Sequence, residues 1–128
     1  MRRELTITAG PIDEAVLLRA RVVPHTMGAV VHFLGFVRGD EQGRPITALE
    51  YEAFERMARH QFDLLFDQAE KSWPLDSIRL VHRVGRVKAG EASLWVEVIA
   101  PHRAEAFAAA QFLIDEMKRV VPIWKKPI

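Results

Sequence analysis

Residues 77–101 read SIRLVHRVGRVKAGEASLWVEVIAP, and the fold turns on how this stretch divides. Ile78, Leu80, His82 and Val84 alternate onto one face, and Leu94, Val96 and Val98 resume the period after Lys88-Ala89-Gly90-Glu91. Alternation with a period of two lays one side of an extended chain against a core, so the stretch predicts two strands joined by a turn. Pro101 stops the second strand. Ala106, Ala110, Leu113, Met117, Val120 and Val121 then recur at helical spacing as far as Pro122, which ends the predicted helix.

Upstream, Phe54, Ala58, Phe62, Leu65 and Ala69 form a second helical stripe between Phe54 and Ser72, closed by Trp73-Pro74. Before it, Gly28 to Val37 is extended, with Ala29, Val31, Phe33 and Val37 on one face and Val30, His32, Leu34 and Phe36 on the other. Apolar residues on both faces predict a central strand. The turn formers from Gly39 to Pro45 lead into a further extended run, Ile46 to Ala53, which predicts a long hairpin with Arg38 at its start. At the N-terminus, Glu4 to Thr8 reads as a strand, and Asp13 caps a helix running towards Arg21 that Pro24 closes. The order is β-α-β-β-α-β-β-α with three main helices, a tail from Ile123 to Ile128, and no repeat or linker. Residues 1–128 therefore form a single α+β domain, and pattern alone suggests a ferredoxin-like sheet.

Composition narrows the chemistry. With 49% hydrophobic and 27% charged residues the chain folds rather than staying disordered. Lysine and arginine exceed aspartate and glutamate by 18 to 17, so attraction for an anion has to come from where the cations are placed. The absence of cysteine excludes disulfides, thiolate metal sites, a cysteine nucleophile and a persulfide on this chain. Sulfur chemistry here requires another molecule to bring the sulfur. No window approaches the ~20 apolar residues of a membrane helix, and the expectation is a cytoplasmic protein without a membrane partner.

Four places carry the residues that could act. His102-Arg103 lies where a strand ends and the last helix begins, a junction whose free N–H groups and helix dipole suit a phosphate; the alternative is a solvated arginine beside a capping histidine. Lys118 lies one residue off the buried stripe, in line with Phe107, Gln111 and Ile114. It either snorkels harmlessly or is desolvated enough to serve as base or nucleophile. Lys125 and Lys126 follow a proline and a tryptophan that can hold them over a pocket, or they form a solvated basic terminus. Arg38 either reaches an anion or caps the hairpin. His25, His32, His60 and His82 share no metal-ligand spacing and read as structural or surface residues, so no metal is expected. There is no phosphate loop or dinucleotide fingerprint. Glu55, Arg56, Arg59 and Asp63 read as the solvated face of a helix.

Taken in order, Gly28-Ala29-Val30-Val31 through Gly35-Phe36-Val37-Arg38, Leu49-Glu50-Tyr51, Trp73-Pro74-Leu75, His82-Arg83-Val84-Gly85, Gly90-Glu91, Ala100-Pro101-His102-Arg103 with Ala106-Phe107, and Lys118 through Pro122-Ile123-Trp124-Lys125-Lys126 resemble the molybdopterin synthase large-subunit family over nearly the whole chain. The resemblance implies an α/β-hammerhead domain with a mainly antiparallel sheet, and a homodimer within a heterotetramer. It also implies a small ubiquitin-like sulfur carrier whose C-terminal Gly-Gly bears a thiocarboxylate. The implied substrate is cyclic pyranopterin monophosphate, which receives two sulfurs to become the molybdopterin dithiolene; no cofactor is implied. Carried over residue by residue, the catalytic lysines are Lys118 and Lys125, and the substrate-binding cations are Arg38, His102, Arg103 and Lys126. Phe36 stands where relatives often have a basic residue, and the chain stops at Pro127-Ile128 where the family continues with an acidic residue and a longer tail. Two other readings stand beside this one. A ferredoxin-like RNA-binding module would need exposed sheet aromatics and a basic face, and a non-catalytic scaffold subunit would be marked by loss of Lys118.

Overall fold

The computed structural model describes residues 1–128 as β1 (Arg2–Thr8), α1 (Glu14–Arg19), β2 (Ala29–Phe36), β3 (Asp40–Glu41), β4 (Arg44–Pro45), β5 (Ala48–Ala53), α2 (Glu55–Ser72), β6 (Ser77–Arg83), β7 (Gly85–Lys88), β8 (Ala92–Ala100), α3 (Arg103–Val120) and β9 (Ile123–Pro127). The fold is α+β, with three helices and mainly antiparallel sheets. The first sheet runs β1-β6-β8-β2. Within it β1 lies parallel to β6, and β6–β8 and β8–β2 are antiparallel.

Alternation decides what each face of this sheet does. Ile78 and Leu80 of β6 and Leu94, Val96, Val98 and Ala100 of β8 point beneath α2 and α3. There they meet Ala58, Phe62, Leu65, Phe66 and Ala69 of one helix and Ala106, Ala109, Ala110, Leu113 and Met117 of the other. Burying these side chains, each large one contributing about 1.5–3 kcal/mol, is the main favourable term. No helix is long and apolar enough to cross a membrane.

The opposite face holds charge. Arg79 and Glu97 are cross-strand partners. The Arg79 guanidinium donates to both Glu97 oxygens, at 2.7 and 2.8 Å, and Arg21 Nε adds a third bond at 2.6 Å. Arg79 also donates to the Leu17 carbonyl at 2.9 Å, which ties α1 down over the sheet. Burial pushes the Glu97 carboxyl up, but the hydrogen bonds and charges of Arg79 and Arg21 outweigh it and hold the pKa below the ordinary value. With a depressed folded pKa, Glu97 stabilises the protein at neutral pH, and that stability is lost as acid protonates it. Glu97→Gln keeps the shape and removes the charge, stranding two guanidiniums. The expected loss is about 3 kcal/mol of unfolding free energy, the low end of the range for a broken buried pair because Arg21 keeps some water. Urea denaturation measures it, and a loss under about 1 kcal/mol would contradict this account.

At Gly85 the backbone takes a φ of +81°, open to glycine at little cost, and the chain passes from β6 into a second sheet ordered β7-β5-β9. Val37, Leu49 and Val87 make a small core of their own beneath it.

Several expectations are corrected. β2 is an edge strand, not a central one, because apolar residues on both sides report cover over two faces and say nothing about neighbours along the two edges. The long hairpin does not form: β2 pairs with β8, β5 pairs with β7 and β9, and only the two-residue strands β3 and β4 pair across Gln42-Gly43. Phe54 is the N-cap of α2 and is exposed, so it leaves the core stripe. The presumed tail is β9, a full partner of β5. A plain ferredoxin-like sheet is excluded, since its neighbouring strands run antiparallel throughout, whereas β1 and β6 are adjacent and parallel and two strands, β6 and β8, separate β1 from β2.

Candidate active site

The last turn of α3, the end of β2 and the second sheet meet around a cavity of about 600 Å³. Helix α3 brings Met117 and Lys118, β9 brings Ile123 and Lys125, and the segment leaving β2 brings Arg38. The strand register explains why Lys125 is held there. It pairs with Tyr51 of β5, so its backbone is fixed in a sheet instead of fraying. Its neighbour Trp124 points the other way and stacks edge-on against Phe54, with ring centroids 5.1 Å apart.

Lys118 follows buried Met117 and is itself exposed, so its ammonium reaches the cavity edge while the stripe beside it stays in the core. The single chain does not supply the burial that would strip this lysine of water. Arg38 is exposed and has no ion-pair partner in the chain. Lys125 Nζ lies 3.9 Å from Glu41 Oε1, a long contact at the cavity rim. Three cations thus face one carboxylate across apolar walls built from Phe33, Leu34, Phe36, Leu49 and Leu94. That lining suits an anionic group joined to a flat, largely apolar body, and the volume is that of a small-molecule site.

The other carried-over residues lie elsewhere. Lys126 is one residue beyond Lys125 on a strand, so its side chain leaves by the opposite face and does not line the cavity. His102 and Arg103 are at the far end of α3 from Lys118, roughly 22 Å away at about 1.5 Å per residue. In the single chain His102 does what its position alone allows. It is the N-cap, its backbone N–H donating to Glu105 Oε2 and its Nδ1 meeting Glu105 Oε1, both at 3.1 Å. Arg103 is exposed.

Two residues without an assigned role form part of the wall. His82, read from the sequence as structural or surface, is buried on β6 and stacks edge-on against Tyr51 of β5 at 5.3 Å. Tyr51 donates to Ser93 Oγ at 3.3 Å, and Ser93 donates to the Gly35 carbonyl at 3.4 Å. The signal in the sequence was the alternation itself, which put His82 on the same face as Ile78 and Leu80. Glu91, in the matching Gly90-Glu91 pair, is structural: it accepts from the Lys88 N–H at 3.1 Å and from Arg83 at 3.4 Å, closing the turn before β8. No three His, Cys, Asp or Glu residues cluster closely enough to hold a metal ion.

Residues 7–120 match the family model described as MoaE protein. The molybdopterin synthase catalytic subunit of Staphylococcus carnosus is 42% identical over 126 residues, covering 98% of this chain and 83% of the relative. The same-named protein of Nostoc sp. is also 42% identical, over 100 residues, 77% of this chain, and this chain spans 61% of its length. Molybdopterin synthase from Staphylococcus aureus superposes with a TM-score of 0.85 at 34% identity, over 98% of this chain and 89% of that one. A further structural match is the complex of subunits 1 and 2 of molybdopterin-converting factor from Helicobacter pylori, with a TM-score of 0.79, 25% identity, and 96% and 83% of the two chains covered. A family match over most of the sequence, a 42% identical relative over nearly all of it and a superposition over the same span lead to one conclusion: the chain belongs to the MoaE protein family.

Proposed function

We propose that this chain is the catalytic subunit of a molybdopterin synthase, moving sulfur from the C-terminal thiocarboxylate of a small ubiquitin-like partner onto cyclic pyranopterin monophosphate to form the molybdopterin dithiolene. The observation that carries the reading is the convergence of Arg38, Lys118 and Lys125 on one cavity, in a chain that has no cysteine. Arg38 holds the substrate phosphate, and Lys125 shares the catalytic work with Lys118. Lys118 acts as general base or as the amine of a covalent intermediate, and the remaining positive charge steadies the negative charge that develops on oxygen or sulfur. Two partner molecules each give up one sulfur and leave as ordinary carboxylates.

The solved complex of the two Helicobacter pylori subunits supports a small partner for this chain too. The assembly we propose is a homodimer within a heterotetramer, working in the cytoplasm. A scaffold role is disfavoured by the presence of Lys118. An RNA-binding role is disfavoured because α2 and α3 cover one face of the first sheet and Trp95 is buried on the other, while the exposed Phe33 and Phe36 of β2 belong to the cavity lining instead of an open aromatic platform.

The test supplies the chain and the pterin substrate with the partner in two forms, thiocarboxylate and carboxylate. Dithiolene is expected only with the thiocarboxylate, because nothing on this chain can replace it. Equal turnover with free sulfide and no partner would defeat the mechanism.

A further inference from the structure

The cations of the cavity account for an anion and leave the rest of the substrate unread. Arg38, Lys118 and Lys125 can only donate hydrogen bonds. Ser93 commits its proton to the Gly35 carbonyl and Tyr51 commits its own to Ser93, while Glu41 is drawn towards Lys125. The two hydroxyl oxygens and the Glu41 carboxylate keep lone pairs that can accept, and the His82 imidazole adds the one ring nitrogen of the lining that can do so.

Its geometry fixes what it offers. Nδ1 lies 2.7 Å from the Arg83 carbonyl oxygen, which can only accept, so the ring proton sits on Nδ1 and Nε2 carries a free lone pair. No group of the chain donates to Nε2. The side-chain nitrogens and oxygens sealed from solvent without a partner belong to Arg21, Arg83 and Trp95, so Nε2 is not shut in, and His82 lines the cavity. The edge-on contact with Tyr51 holds the ring in this orientation.

We propose that His82 is a substrate-positioning residue, its Nε2 accepting a hydrogen bond from an N–H or O–H of the same ligand whose anionic end is held by Arg38 beside the two lysines. The inference rests on the proposed function, whose pterin substrate supplies such N–H groups on a flat ring. Burial lowers the imidazole pKa below its ordinary value, against a smaller upward pull from the Arg83 carbonyl. The groups facing the same cavity are Lys118 from α3, Lys125 from β9, Arg38 and Glu41 from the segment after β2, and Tyr51 from β5. A protonated His82 would turn the acceptor into a donor and add a fourth cation. Binding through Nε2 is therefore present at neutral pH and weakens as acid titrates the ring.

The experiment measures calorimetric affinity for cyclic pyranopterin monophosphate from pH 5 to 8. It compares the parent with His82→Gln, which accepts without titrating, and His82→Phe, which keeps a ring against Tyr51 and accepts nothing. Sulfate, an anion with no hydrogen to donate, is the control ligand, and thermal melting checks the fold. The parent should lose up to about tenfold in affinity per pH unit once the histidine titrates, as expected for one linked proton. His82→Gln should lose this acid dependence, and His82→Phe should bind the pterin roughly tenfold or more weakly at pH 7.5 while binding sulfate like the parent. If His82→Phe matches the parent for the pterin, or His82→Gln keeps the acid limb, the inference is overturned and the functional reading stands. A parent that binds sulfate and not the pterin defeats the functional reading, and the inference with it.

Discussion

Lys118→Ala is expected to remove sulfur transfer while leaving the chain folded. The residue is exposed in the last turn of α3, next to a buried stripe that ends with Met117 and Val121, so truncation opens no cavity. Alanine is the best helix former, and the stability at risk is the few tenths of a kcal/mol that a cation contributes at a helix C-terminus. Activity is a different matter. A positioned acid–base group contributes about 10²–10⁴ in rate, and a nucleophilic amine has no substitute among the cavity residues except Lys125. Single-turnover product formation should therefore fall by at least about a hundredfold, a barrier rise of roughly 2.7 kcal/mol, with melting and partner binding close to those of the parent. Activity within about tenfold of the parent would remove Lys118 from the catalytic role.

The same helix shows what a sequence can reveal. The stripe along α3 was legible because one face is buried, and the 3.6-residue period marks that face wherever the helix packs. Lys118 was legible for the same reason, as a polar residue one step off the stripe. The partner of each strand was not legible. Alternation in β2 shows which side chains leave each face, while the strands beside it are chosen by contacts distant in sequence, and the turn formers at Gly39 to Pro45 served a two-residue hairpin instead of a long one. Six residues after a proline looked like a tail, and only their pairing with β5 makes them a strand. Lys126 lies outside the cavity of the single chain for the same reason, because once β9 is extended the period of two separates it from Lys125. His82 was hidden differently. A histidine in an alternating strand reads as a satisfied core residue, and its free Nε2 emerges only when the Arg83 carbonyl is seen to occupy Nδ1.

Mixing two damaged chains is expected to restore activity that neither has alone. Within one chain α3 keeps Arg103 roughly 22 Å from Lys118, so Arg103 cannot complete the cavity of its own subunit. Part of the cavity lining comes from β2, an edge strand whose Phe33 and Phe36 are exposed. A second copy packed against this edge would cover apolar surface and bring its own cations to the cavity, and a two-fold axis would do so twice, giving two equivalent sites. Arg103→Ala should accordingly be nearly inactive, although its own cavity residues are intact. When Lys118→Ala and Arg103→Ala chains are unfolded together and refolded in equal amounts, random pairing makes about half the dimers mixed. Each mixed dimer has one site lacking both residues and one site lacking neither, so about a quarter of the parental activity should return. Sites built within single chains give no recovery at any ratio. With subunit exchange verified by mass, a flat mixing curve defeats the shared site, and a return near one quarter places Arg103 beside the partner's lysines.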